Sequence, residues 1–365
     1  MSKSATSSNT QQDLKKMVMK EKNIKAVSSL QTVGKIFGYI AIYTFLGIMA
    51  LVILFPFYFM IISSLKSMTE YREAIPTLIP GSGDYPIKFQ NYLDIIIPVE
   101  IIETNPNWFI KMGLVSEDVL SLRDDFDLFL LFRNTMFVGI VSTILSVVLT
   151  VLSAFAFARL EFKGKNALFA ALLGTMMIPG ELFTITNYAT VKQNGGWFQT
   201  FFNGLGQGFG WFGEDFQIPF VDAGFAALIV PFLVSVFYIY LLKQNFMQIP
   251  NELYLAAKVD GTSDIKYLWK VMIPLALPTI ISITILKMMG AWNSYMWPRL
   301  VANDKMHKLI TNGLRGVAFI DPLTNETDIP RQMAAVALVS LPLFLVFIFL
   351  RKYIMKGVSR SGIKG

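Results

Sequence analysis

Two ionisable side chains stand inside long apolar runs: Lys287 in ISITILKMMGAWNSYMW, and Glu181 directly after Pro179-Gly180. An ionised lysine at membrane depth is costly and needs a partner or water, which makes Lys287 by default a solute-pathway residue. The competing reading is that its stem snorkels to an interface or that it pairs with a partner subunit. Glu181 follows a helix-breaking pair, so a broken helix would expose it to the same cavity. Asn187, Tyr188, Trp292, Asn293 and Tyr295 complete a set able to hydrogen-bond hydroxyls and stack a sugar ring. The chain has no cysteine and one histidine, His307, which excludes thiolate and multi-histidine metal sites. His307 reads as a loop histidine at a membrane edge, no partner orienting it as a base. No catalytic residue and no metal ligand is nominated, and no GxxxxGK[ST] phosphate loop occurs.

A second constellation lies in QIPNELYLAAKVDGTSDIKYLWKVMIPLALP, residues 248–278, which takes in most of the loop 243–273. Pro250 fits the position before a helix, Asn251 can cap it, and Glu252 places negative charge in the first turn, where the dipole favours it. Gly261 ends that helix at the αL cap, and Thr262, Ser263 or Asp264 can cap the next. The result is a short helix, a tight turn and another helix. Ala256 and Ala257 add almost no bulk, so another protein surface can approach the backbone closely. Spacing alone also fits an ordinary amphipathic interfacial helix.

The elements that must position these residues are membrane helices. The chain of 365 residues is 54% hydrophobic and only 16% charged, where soluble domains carry about a quarter charged residues; its mean hydropathy is +0.52. Six segments have the length and apolarity of spans: roughly 36–62, 134–157, 166–190, 223–242, 274–298 and 334–350. The fold class is therefore an all-α polytopic bundle of six transmembrane helices. The first span is too long for a signal peptide's h-region and ends in FPFYFMIISSLK, which predicts a retained helix behind a mobile cytoplasmic tail, residues 1–35.

Orientation follows from the basic residues. With the N-terminus inside, 19 Lys and Arg fall on the cytoplasmic side against 12 outside, while acidic residues divide as 6 inside and 18 outside. Both termini are thus expected in the cytoplasm, with the tail 351–365 and loop 243–273 beside them. This distribution accounts for the net charge of +7 without nucleic acid. The outer segment 63–133 mixes aromatic and apolar residues with eleven acids and turn signals at IPGSGDYP, which predicts a small folded cap. The second outer loop, 191–222, is rich in Gly, Phe and Trp and suits the membrane interface; a sugar-stacking platform is the alternative.

Ala256-Ala257, then Gly261 and Ile273-Pro274, resemble the EAA loop of ABC importer permeases, whose helix docks into a groove of the ATPase subunit. One departure is plain: the glutamate of the motif falls at Leu255, and Glu252 lies a turn earlier on roughly the same face. Arg133-Asn134-Thr135, SAFAFARLEFKGK at 153–165, MMIP at 176–179 and WNSYMWP at 292–298 are similar to carbohydrate-type permeases. The stretch 333–365 resembles the C-terminus of the G-type subunit of maltose-class importers. The resemblance covers 36–62 and most of 133–365, making 134–350 the core permease domain.

This resemblance implies a subunit that moves a carbohydrate, in the first instance an oligosaccharide, by alternating access. Glu252, Leu255, Ala256, Ala257, Asp260 and Gly261 would couple it to ATP hydrolysis. It implies a second related permease, an ATPase dimer that holds the ATP and Mg, and an extracytoplasmic solute-binding protein, all at the cell membrane. The chain itself would bind no cofactor and would not be an enzyme. Glycerol phosphate or another polyol is the alternative solute, and a secondary transporter, whose inverted repeats are not evident, the alternative class.

Overall fold

The computed structural model describes residues 35–97, 99–115, 126–192, 196–207, 222–302, 304–315, 319 and 326–359. The basic tail 1–34, the last residues of the C-terminal tail, and most of the Gly- and Phe-rich stretch 208–221 lie outside them. The chain divides into two units, residues 1–62 and 63–365. The described part of the first is helix α1, Lys35–Ser64, apolar along its length with its large side chains exposed, as suits a helix solvated by lipid.

In the second unit the segment after α1 comes first. Four short helices, α2 (Met68–Tyr71), α3 (Gln90–Ile96), α4 (Val99–Thr104) and α5 (Pro106–Lys111), are held by buried polar groups. Glu70, almost fully buried, accepts hydrogen bonds from Thr77 Oγ1 at 2.8 Å and the Gly81 amide at 3.1 Å. Asn91 Nδ2 donates to the carbonyls of Ser64 and Lys66 at 2.9 and 3.0 Å.

The bundle is built on α6 (Leu128–Arg159), which Asp127 caps by accepting from the amides of Phe129 and Leu130. Its buried stripe is small and hydroxylated, Gly139, Ser142, Thr143, Ser146, Thr150 and Ala154, so two neighbouring helices approach closely. A Cβ at Gly139 would meet Met288 Sδ at 2.9 Å. Those neighbours are α11 (Val236–Met247) and α13 (Asp264–Trp292). Helix α13 starts earlier than the sequence indicates and contains a π turn at Leu268–Met272, where Pro274 offers no amide to the carbonyl of Lys270. The other helices are α7 (Lys165–Thr175), α8 (Leu182–Lys192), α9 (Trp197–Gly206), α10 (Ala223–Ile229), α12 (Asn251–Val259), α14 (Met296–Val301), α15 (Ile310–Leu314) and α16 (Ile329–Ser359).

Three of the six expected spans are interrupted, 274–298 near its end, where α13 stops at Trp292 and α14 begins at Met296. Among the described residues four helices, α1, α6, α13 and α16, are long and apolar enough to cross a membrane alone. The segment 223–242 is a pair bent by 47° between Phe232 and Val236, a fifth crossing if the pair counts as one. The segment 166–190 is two helices of 11 residues, α7 and α8, separated around Met177–Glu181, and neither alone reaches across. Pro179 and Gly180 are the physical cause of that break.

Candidate functional site

The loop after α11 folds as an αα-hairpin. Pro250 precedes α12, while Asn251 is its first helical residue rather than its cap, because its side chain is used elsewhere. The C-terminus is a Schellman motif: the Gly261 amide donates to Lys258 O at 3.1 Å and the Thr262 amide to Ala257 O at 2.8 Å, with Gly261 at φ 68°. A Cβ there would meet nothing within 4 Å, so the demand for glycine is conformational. Ser263 then caps α13 by accepting from the Lys266 amide. Asp264 closes the hairpin, accepting from Tyr254 OH at 2.7 Å and pairing with Lys258 Nζ at 2.8 Å. The hydrogen bond to Asp264 holds the Lys258 ammonium above its ordinary pKa despite some desolvation.

The two faces of α12 differ. Tyr254 and Ala257 turn inward onto the core formed by Phe155, Leu242, Phe246, Tyr267, Leu268 and Met272. Glu252, Leu255, Ala256, Val259 and Asp260 are exposed, Val259 at 88%, and with Ile265 and Trp269 they leave an uncovered apolar surface. Ala257 therefore supports α12 from behind, and Ala256 is the small residue on the open face.

Arg159, part of the SAFAFARLEFKGK motif but not singled out by its spacing, anchors this hairpin. Its guanidinium, nearly buried at the end of α6, donates to the carbonyls of Phe246 at 3.0 Å and Ile249 at 2.5 Å and to Asn251 Oδ1 at 3.1 Å. It thereby caps α11 and fixes the start of α12 against α6.

A second site lies at the bend between α10 and α11. Pro231 cannot donate to Ala227 O, and the extended Ser235 leaves Phe232 O without its helical donor. Both carbonyls are taken by other elements: Trp297 Nε1 donates to Ala227 O at 2.9 Å, and Lys287 Nζ to Phe232 O at 2.6 Å. Beside them lies a cavity of about 360 Å³, with Ser142, Ser235, Tyr238, Lys287, Ser294 and Trp297 among its walls. Of the seven pathway candidates, only Lys287 lines it. Glu181 is exposed between α7 and α8, and Asn187 and Tyr188 sit on α8. Trp292 is buried in a separate core with its ring against Phe132, and Asn293 donates to Met289 O. Tyr295 accepts from Arg299 and stacks against Arg315. Ser142, Ser235, Tyr238 and Trp297, from α6, the bend, α11 and α14, are not among the residues the sequence nominates and share no spacing signal; on α13 itself the helical spacing of Lys287, Gly290 and Ala291 marks the face turned to the cavity.

His307, in the loop after α14, bridges two carboxylates. Its Nδ1 meets Asp304 Oδ2 at 2.5 Å, and its Nε2 meets both oxygens of Asp222, the cap of α10, at 3.1 Å. Burial alone would lower the imidazole pKa, but the hydrogen bonds and charges of Asp222 and Asp304 outweigh it and hold it above the ordinary histidine value. Burial would likewise raise the Asp222 pKa, yet His307 and the Phe225 amide pull it below the usual range. The same loop is pinned to α6 through the motif at 133–135. Asn134 Nδ2 donates to Met306 O at 2.7 Å, and Thr135 Oγ1 accepts from the Ile310 amide at 2.9 Å.

Helices of membrane length packed in one bundle, with an interrupted span beside a cavity, define the class: a multi-pass membrane protein. The chain belongs to the family of binding-protein-dependent transport system inner membrane components, which it matches over residues 135–360. Among curated relatives it is 24% identical to the inner membrane ABC transporter permease protein YcjP of Escherichia coli, over 89% of this chain and 96% of that one. It is 25% identical to the arabinooligosaccharides transport system permease protein AraQ of Halalkalibacterium halodurans, over 64% of this chain and 74% of that one. It is also 24% identical to the sn-glycerol-3-phosphate transport system permease protein UgpE of Yersinia pestis, over 85% and 92%. Its fold matches a chain of a bacterial ABC transporter that imports the acidic polysaccharide alginate, with a TM-score of 0.62 at 21% identity over 87% of this chain and 96% of that one.

Proposed function

We propose that this chain is one of two permease subunits of an ATP-driven importer that moves a carbohydrate into the cytoplasm by alternating access, with α12 as the helix that docks into a separate ATPase. The observation that carries this reading is the α12 hairpin. It combines a rigid Schellman turn, an exposed apolar face at Leu255, Ala256 and Val259, and a guanidinium anchor to α6, in a chain without a phosphate loop of its own. The contacts of α12 with α6, α11 and α13 supply a route by which force on the hairpin reaches the cavity. The carbohydrate class rests on the resemblance and on relatives that carry arabinooligosaccharides, with glycerol phosphate as the second reading.

In this reading the α7–α8 and α10–α11 pairs each serve as one broken crossing, giving six in all, with both termini and 243–273 in the cytoplasm. The excess of Lys and Arg in the loops on that side supports the orientation. Leu255 at the family's glutamate position makes the docking contact apolar there, with Glu252 the nearest acid.

The test is Ala256→Trp together with Gly261→Val. Overpacking a docked interface costs about 1–3 kcal/mol, and a β-branched residue at φ 68° is strained. The permease should reach the membrane but lose its ATPase subunits and solute-stimulated ATP hydrolysis. Retention of both would mean that the loop is an interfacial connector.

A further inference from the structure

We propose that the solute carried through this subunit is anionic, a sugar or polyol bearing carboxylate or phosphate, and that Lys287 selects it. This deepens the importer reading and rests on it. Among the described residues Lys287 is the sole charged residue lining the cavity, and no carboxylate lines it. Its ammonium has three protons, and the structure gives it one acceptor, the neutral Phe232 carbonyl at 2.6 Å. Two donors remain for a ligand, and a neutral carbonyl does not cancel the charge. An ammonium withdrawn from bulk water is stabilised most by an anion, because charge-assisted hydrogen bonds are the strong ones. Ser142, Ser235, Tyr238 and Trp297 line the same space, so hydroxyl-bearing and aromatic residues stand around one positive charge.

A second observation agrees. Ser294 of the cavity is followed by Tyr295, whose ring lies between Arg299 and Arg315, the two guanidinium carbons 5.6 and 4.6 Å from its centroid. Both arginines are exposed, and among the described residues neither pairs with a carboxylate. Two further cations thus gather at the residue next to Ser294 of the cavity, and clustered positive charge concentrates anions nearby.

The experiment reconstitutes the complete importer, with its partner permease, ATPases and binding protein, in liposomes. The probes are a uronic-acid oligosaccharide beside its carboxyl-reduced counterpart, and glycerol 3-phosphate beside glycerol. The wild type should accumulate at least one anionic probe about tenfold over its neutral partner, the order expected for one charged hydrogen bond. Which pair responds separates carboxylate from phosphate. Lys287→Met should erase most of that preference, Lys287→Arg should keep it, and Arg299→Gln with Arg315→Gln should lower it about threefold through a weaker local field. The proposal is overturned if the wild type favours the neutral partners or takes up no probe while its ATPases remain bound, or if Lys287→Met leaves the preference intact. A wild-type complex that binds no ATPase at all would instead sink the importer reading.

Discussion

The α12 hairpin and the α10–α11 bend are both helix interruptions, yet they are held in opposite ways. The turn of the hairpin is written locally: Gly261, Ser263, Asp264 and Tyr254 all act within a dozen or so residues, while the entry to α12 is tied from a distance by Arg159. The bend is held from a distance, its two freed carbonyls served by Lys287 and Trp297, which lie 55 and 70 residues along the chain. Local closure makes a stiff lever. Distant closure ties the bend to the position of α13 and α14, so a movement of those helices must either carry the bend along or break its hydrogen bonds.

The largest effect should come from Arg159, which ties the hairpin to α6. Arg159→Met leaves the carbonyls of Phe246 and Ile249 buried without their donor, at about 1–3 kcal/mol each. Detergent-solubilised protein should melt several degrees lower and retain less ATPase. An unchanged melt would mean that the hairpin stands without its anchor.

Next in size is the bend. Trp297→Phe strands Ala227 O and should cost about 1–3 kcal/mol. Pro231→Ala in the same chain returns a helical donor to that carbonyl and should recover part of the loss, whereas additive losses would contradict the account. Ala257→Trp and Ala256→Trp offer a direct contrast on α12. The first should lower the melting temperature because Ala257 packs inward, and the second should spare it and weaken ATPase binding.

The smallest effect is pH-dependent and lies at the His307 clasp. The folded His307 pKa is raised, so its stabilisation is complete below the ordinary histidine value and fades as pH rises through the raised one. Asp222 is shifted downward, so its part is present above the ordinary aspartate value and is lost as pH falls through the lowered one. The melting difference between wild type and His307→Gln should therefore be greatest in mildly acidic solution, between those limits, and shrink on either side. A difference independent of pH would remove the charge from the explanation.

The same contrast explains what the sequence disclosed. The membrane class, the hairpin and its Gly261 stop follow from local composition and turn chemistry, and are legible at a glance, whereas Thr262, Ser263 and Asp264 are equal candidates for the next cap until the structure assigns it to Ser263. Asn251 was misread as a cap because nothing local reveals that Arg159, far back on α6, claims its side chain. Ala256 and Ala257 look equivalent in sequence, and only the direction of the core distinguishes them. Of the polar set proposed around the pathway, Lys287 alone reaches the cavity, because the others are distributed by packing between helices whose arrangement no single segment encodes. Pro231 is the one local hint of the bend: a proline inside an apolar run frees a carbonyl that some donor must meet.

The most direct test of the coupling claim uses the absence of cysteine from the chain. Val259→Cys introduces a single thiol at the most exposed apolar position of α12, 88% accessible. A water-soluble maleimide should label it rapidly in the permease pair alone and slowly once the ATPase subunits are bound, with the protection changing on addition of ATP. Equal labelling with and without the ATPases would contradict the docking of α12.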